Sequence, residues 1–103
     1  ESHYAPRAAL HVATAPALLS AVSQAQRKTA PRRVGVYSRL VPPDQSGIVY
    51  QPMPASAAEV AHELFAVLRQ FDDRSVDQIW VEAPPDGSDW DGVRDRLQRA
   101  SMR

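Results

Sequence analysis

Apolar residues along this chain recur at two spacings, every second position in short runs and every third or fourth in longer ones. Leu10 and Val12 alternate with His11 and Ala13, the period of a strand with one apolar face. Thr14-Ala15-Pro16 follows, and proline needs no amide donor in a first turn, so a helix opens there. Leu18, Leu19, Val22 and Ala25 form its stripe, and Arg27 and Lys28 meet the negative pole at its end. From Arg33 to Ser38 the alternation returns, with Val34 and Val36 on one side and Gly35 and Tyr37 on the other. Gly35 leaves room for a close helix. The proline-rich loop from Arg39 to Gly47 is too short for a crossover helix. Ile48-Val49-Tyr50 therefore reads as an antiparallel edge strand, a helix-free parallel passage being the less usual alternative.

The strongest helical signal comes next. Ser56 and Glu59 have the spacing of a capping box. Val60, Ala61, Leu64, Phe65, Leu68 and Phe71 then recur at steps of three and four, ending near Arg74. Val76 to Ala83 holds Ile79-Trp80-Val81, apolar on both sides, as an interior strand of a doubly covered sheet would be. Leu64, Leu68 and Trp80 are thus the expected centre of the core. Pro84-Pro85-Asp86-Gly87 ends the strand. Ser88 or Asp89 caps a last helix with Trp90, Val93, Leu97 and Ala100 inward.

Strands alternating with helices predict a small α/β sandwich with a largely parallel sheet of about four strands and three helices. At 103 residues this is one domain, with little depth for an enclosed active site. Lys plus Arg equals Asp plus Glu at 12 each, against a nucleic-acid binder driven by bulk charge. The balance is uneven along the chain, positive in residues 1–50 and negative in 51–103, as ordinary solvated faces also are. No apolar stretch approaches a membrane span, and no basic start leads into a continuous apolar segment. Cysteine is absent, which excludes disulfides and thiol catalysis and makes a cytoplasmic setting the easier reading.

Candidate chemistry is sparse. The turn Ala13-Thr14-Ala15-Pro16 lacks the glycines of a phosphate cradle. His3, His11 and His62 are scattered without metal-ligand spacing, so no metal site is expected. His11 reads as the polar face of an outer strand and His62 as a helix-rim residue. Asp86, Asp89 and Asp91 fit no calcium loop, and no serine sits on a glycine-flanked elbow. Arg94, Arg96, Arg99 and Arg103 surround the last helix, with Asp91 and Asp95 as the natural partners. No catalytic residue is assigned. Open parallel sheets bind ligands at the C-terminal ends of their strands, which makes Thr14, Ser38, Arg39 and Glu82 a candidate surface for a partner or small anion. Glu1 to Arg7 belongs to no regular element, yet offers an aromatic anchor in Tyr4.

Ser2-His3-Tyr4-Ala5-Pro6-Arg7 resembles the H-Y-A-P linker of two-domain L-threonylcarbamoyladenylate synthases. Further matches follow in order: Arg33-Val34-Gly35-Val36, Ala66 to Asp72 as A-V-L-R-Q-F-D, Val76-Asp77, Ile79-Trp80-Val81-Glu82, and Asp95-Arg96-Leu97 with Arg99-Ala100. The resemblance implies an interdomain linker over residues 1–8 and a C-terminal, accessory, Rossmann-like three-layer domain over 9–103. Such enzymes make threonylcarbamoyl-AMP from L-threonine, bicarbonate and ATP for the threonylcarbamoyladenosine of tRNA. It further implies that chemistry, ATP and magnesium belong to a preceding catalytic domain, with no cofactor held by the residues read here. That catalytic domain is the implied partner, tRNA-modification proteins are possible ones, and direct tRNA contact is not expected. The gating role of the linker falls on His3, Tyr4, Ala5 and Pro6. Ser2 stands where such linkers often carry a basic residue, and Gly87 to Gly92 replaces a more aliphatic glycine-rich loop.

Overall fold

A computed structural model describes residues 4–26, 33–40 and 47–101. The elements are β1 (Ala9–Ala13), α1 (Ala15–Gln26), β2 (Val34–Ser38), β3 (Ile48–Pro52), α2 (Ala57–Asp73), β4 (Gln78–Glu82) and α3 (Asp91–Ser101), with a 3-10 turn at Ser88–Trp90 before α3. The strands form one sheet in the order β1-β4-β2-β3, and every pairing is parallel. The α/β architecture read from the sequence is therefore the observed one. The strand latest in sequence, β4, lies between β1 and β2.

Strand alternation divides the core into two layers. Val34 and Val36 of β2 pack with Leu18 and Val22 of α1 on one face. Tyr37 of β2, Ile79 and Val81 of β4 and Leu10 of β1 pack on the other, beneath Val60, Leu64, Leu68 and Phe71 of α2 and Val93, Leu97 and Ala100 of α3. Gly35 is buried against Phe71: a Cβ built there would stand 2.9 Å from the ring. The absent side chain is what lets α2 lie so close to the central strands.

Three expectations are corrected. The strand at 48–50 is a parallel edge, with Val34 beside Ile48 and the Val34 amide donating to the Gly47 carbonyl at 2.7 Å. A five-residue strand is about 16 Å long, and nine extended residues can span about 30 Å, so the connection is long enough to return to the start of β2. Trp80 is only half-buried. It faces the side of α1, where its ring stacks on His11 with centroids 4.4 Å apart. The indole packs at the margin of the cluster formed by Leu18, Val22, Val34 and Val36, with the His11 imidazole of the edge strand on its other side. The 3-10 turn has no side-chain cap from Ser88 or Asp89, since Gly87 holds the capping position at φ 131°. Arg94 ties the preceding loop to the helix, donating to the Pro85 carbonyl at 2.8 Å and to Asp91 Oδ1 at 2.7 Å.

The longest helix follows its sequence signal. Ser56 Oγ accepts the Glu59 amide at 3.3 Å, and beyond Arg74 the chain turns at Ser75 with φ 58°. The proposed end of α1 at Arg27 and Lys28 lies outside the described residues.

Candidate functional site

Polar groups buried in a small domain must find partners, and two such clusters organise this one. At the C-terminal ends of β2 and β4, Ser38 and Glu82 lie side by side, and both are buried. Ser38 Oγ donates to Glu82 Oε1 at 2.7 Å, and the Arg39 amide donates to the same oxygen at 2.9 Å. The Arg39 guanidinium donates to Glu82 Oε2 at 2.6 Å and to the Ala83 carbonyl at 3.0 Å. Burial works to raise the Glu82 pKa, yet the donors from Ser38 and Arg39 and the positive charge outweigh it and hold the carboxyl below the ordinary glutamate range. Ser38 also accepts the Leu40 amide at 2.9 Å, and its carbonyl receives Tyr50 Oη at 3.2 Å.

The parallel sheet thus brings Ser38, Arg39 and Glu82 together, because all three follow or end neighbouring strands. Thr14 is exposed after β1, where its carbonyl accepts the Leu18 amide at 2.8 Å, and it makes no hydrogen bond to the other three. Arg39 is already engaged by Glu82 and Ala83, so its charge is largely spent within the cluster.

The second cluster involves the segment before β1. Pro6 is fully buried and Ala8 is buried, while Ala5 is exposed. His3 lies outside the described residues. Tyr4 is half-buried, and its hydroxyl donates to Asp72 Oδ2 at the end of α2. The same carboxylate accepts the Arg7 amide at 3.0 Å and the Ala8 amide at 3.4 Å. Arg7 Nη2 donates to the Asp72 carbonyl at 3.2 Å. The Arg69 guanidinium, one turn earlier on α2, covers the Tyr4 ring at 5.5 Å from its centroid. Burial, then the hydrogen bond to Asp72 and its negative charge, push the Tyr4 phenol up to about 12.

Asp72 and Asp73 invite a search for paired carboxylates in the sequence, but the role of Asp72 as partner of the N-terminal segment is not read there, although a signal is present. Asp72 lies four residues after Leu68 on the apolar stripe, where an acid must find donors. Nothing local says that they come from residues 4–8. A third buried polar group, the Tyr37 hydroxyl, donates to Glu63 Oε2 at 2.6 Å; burial and this partner raise its ionisation well above the ordinary tyrosine range.

His62 is exposed on α2, at the rim of an open groove of about 550 Å³ shared with Phe65 and Arg96. Among the described residues, no three His, Cys, Asp or Glu converge as a metal site would need, and no helix is long and apolar enough to cross a membrane.

Residues 1–102 match the family model described as threonylcarbamoyl-AMP synthase, C-terminal domain. Among solved structures, the chain is similar to the C-terminal Sua5 domain of a hypothetical Sua5 protein from Pyrococcus horikoshii. The TM-score is 0.70 over 91% of this chain and 93% of that one, at 23% identity, a likeness of fold. No curated protein matches significantly.

Proposed function

Since the chain belongs to the family of threonylcarbamoyl-AMP synthase C-terminal domains, we propose that it is the accessory, regulatory domain of an enzyme that makes threonylcarbamoyl-AMP for tRNA modification. In this reading a catalytic domain of the same polypeptide binds ATP and magnesium and joins L-threonine, bicarbonate and the nucleotide with release of pyrophosphate. The setting is the cytoplasm, and the first partner is that catalytic domain. The linker, carried here by His3, Tyr4, Ala5 and Pro6, gates its active site. A gate of this kind would exclude water from a labile intermediate and set the pace of product release.

The observation that carries the reading is the family match over residues 1–102. The geometry supports it in one respect: residues 4–8, before β1, have no strand or helix of their own and are attached through the Asp72 side chain at the end of α2.

The test replaces His3 to Pro6 with a Gly-Ser spacer of equal length in the full-length synthase carrying this domain. Pyrophosphate release with ATP, threonine and bicarbonate should fall several-fold, on the order of 1 kcal/mol of barrier. An unchanged rate and substrate dependence would refute gating. The chain alone should release no pyrophosphate above background.

A further inference from the structure

We infer that the outer edge of β1 is an interaction surface for a second copy of this chain, the two β1 strands pairing antiparallel about a twofold axis at His11.

The sheet has two edges, and they differ. On the β3 side, the Val34 amide donates to the Gly47 carbonyl at 2.7 Å and the Met53 amide to the Ser38 carbonyl at 3.0 Å. In a parallel ladder of that register, Val49 and Gln51 turn their backbone groups inward, and Ile48, Tyr50 and Pro52 turn theirs outward. Pro52 has no N–H to offer, which blunts this edge. On the β1 side, the Ala83 amide donates to the Ala13 carbonyl at 2.8 Å. Ala9, His11 and Ala13 therefore face β4, and the amides and carbonyls of Leu10 and Val12 point outward. This strand holds no proline and no charged residue, and among the described residues no strand pairs with its outer side.

Side chains on both faces of this edge are left uncovered as well. Val12 is 43% exposed, and with Pro84 and Leu97 it lines an open, mostly apolar groove of about 310 Å³. On the opposite face His11 is exposed, with one side of its ring against Trp80.

Twofold pairing engages every outward backbone group. Leu10 opposite Val12 of the second copy, and Val12 opposite its Leu10, exchange four hydrogen bonds. Moving the axis to residue 10 would call on Ala8, whose amide is held by Asp72. Moving it to residue 12 would call on Thr14, whose carbonyl already accepts the Leu18 amide. With the axis at His11, that residue meets its own copy at a Cα separation of about 4.5 Å, and the Trp80–His11 row continues into its image. No like charges meet along the strand. A strip about 16 Å long and three layers, about 20 Å, deep covers roughly 300 Å² on each copy. A stable dimer buries about 800 Å² per partner, so this association is weak and depends on concentration.

Sedimentation of this chain between about 10 µM and about 1 mM should show a shift from monomer towards dimer. Val12→Lys sets an ammonium group on each side of the axis and should raise the dissociation constant about tenfold or more. Its melting temperature should stay unchanged, because Val12 is exposed. Leu40→Ser, at the other exposed large hydrophobic among the described residues, should leave association as it was. The chain has no cysteine, so single cysteines at the exposed positions 9 and 11 report the register. His11→Cys places two thiols on the axis within disulfide reach, whereas in Ala9→Cys they stand about 14 Å apart. Mild oxidation should therefore cross-link the first variant about tenfold faster than the second, or more. A chain that stays monomeric throughout, a dimer indifferent to Val12→Lys, or equal cross-linking of the two cysteine variants would overturn the proposal.

Discussion

Gly35→Ala adds one methyl group at the most confined place in the sheet. The new Cβ would meet Phe71 Cδ1 and Cγ at 2.9 Å and Cδ2 at 3.1 Å, distances that require something to move. Phe71 is 1% exposed and Gly35 itself is buried, so neither ring nor strand has free space to enter. Overpacking of this kind costs roughly 1–3 kcal/mol. Alanine recovers part of it by losing less chain entropy on folding, roughly 0.5–1 kcal/mol. The net expectation is destabilisation of about 1–2 kcal/mol, which in a domain of this size lowers Tm by about 4–16 °C.

Gly92→Ala provides the internal control. Its Cβ would also stand 2.9 Å from a neighbour, but that neighbour is Arg96 Nη1, the end of a flexible side chain on α3, and Gly92 is exposed. Here the helix preference for alanine decides the sign, and stability should rise by about 0.5–1 kcal/mol. Urea unfolding of both variants gives the two numbers. Combining Gly35→Ala with Phe71→Leu should recover a large part of the first loss, with a coupling of about 1 kcal/mol. If Gly35→Ala is as stable as the original, or if the two substitutions merely add, the close packing of Phe71 on β2 is not what fixes α2.

Leu68→Ala, at a fully buried position of α2, should cost about 2–5 kcal/mol in the same assay; less than about 1 would place the stripe in the wrong register. Glu82→Gln should lose about 1–2 kcal/mol at neutral pH, because charge-assisted bonds from Ser38 and Arg39 are weakened. The Glu82 carboxyl is depressed on folding, so its stabilisation is present above the unfolded value and disappears as pH falls through the folded one. The difference between original and variant should accordingly shrink in acid, and a constant difference down to acid unfolding would contradict the assignment. At the alkaline end, the folded protein keeps Tyr4 protonated up to about 12 and Tyr37 higher still, whereas unfolded tyrosines ionise near 10. Stability should therefore fall as pH rises above about 10, and Tyr37→Phe should flatten that decline.

The helix α2 was legible because its stripe and its Ser56 cap are both local signals, and β2 because alternation sorted Val34 and Val36 from Gly35 and Tyr37. The role of Gly35 also followed locally, as space for a helix. Trp80 was misjudged because the pattern Ile-Trp-Val reports apolarity and not how many helices cover each face. The direction of β3 was hidden for a similar reason: nine residues suit a return passage as well as a turn, and only the sheet order decides. Among site residues, Ser38, Arg39 and Glu82 could be grouped once a parallel sheet was assumed, since each lies at a strand end. That they satisfy one another depends on side-chain reach, which spacing does not encode. Asp72 stood in plain view on the apolar stripe, but its donors come from the far side of the sequence, 68 residues away at Tyr4.

The insertion of β4 between β1 and β2 makes the order of synthesis matter. As the chain leaves the ribosome, β1 has no neighbour to pair with until β4 emerges, and the pair β2–β3 has no link to β1 either. At about 5–20 residues per second, the wait for the roughly 70 intervening residues is on the order of 4–14 s. Throughout that interval Leu10 and Val12 are exposed to other chains, and Tyr4 has no Asp72 to hold it. Premature termination before residue 78 would yield separate fragments of sheet, not a smaller version of the domain. A central strand delivered late thus ties the fastening of the N-terminal segment to the completion of nearly the whole fold.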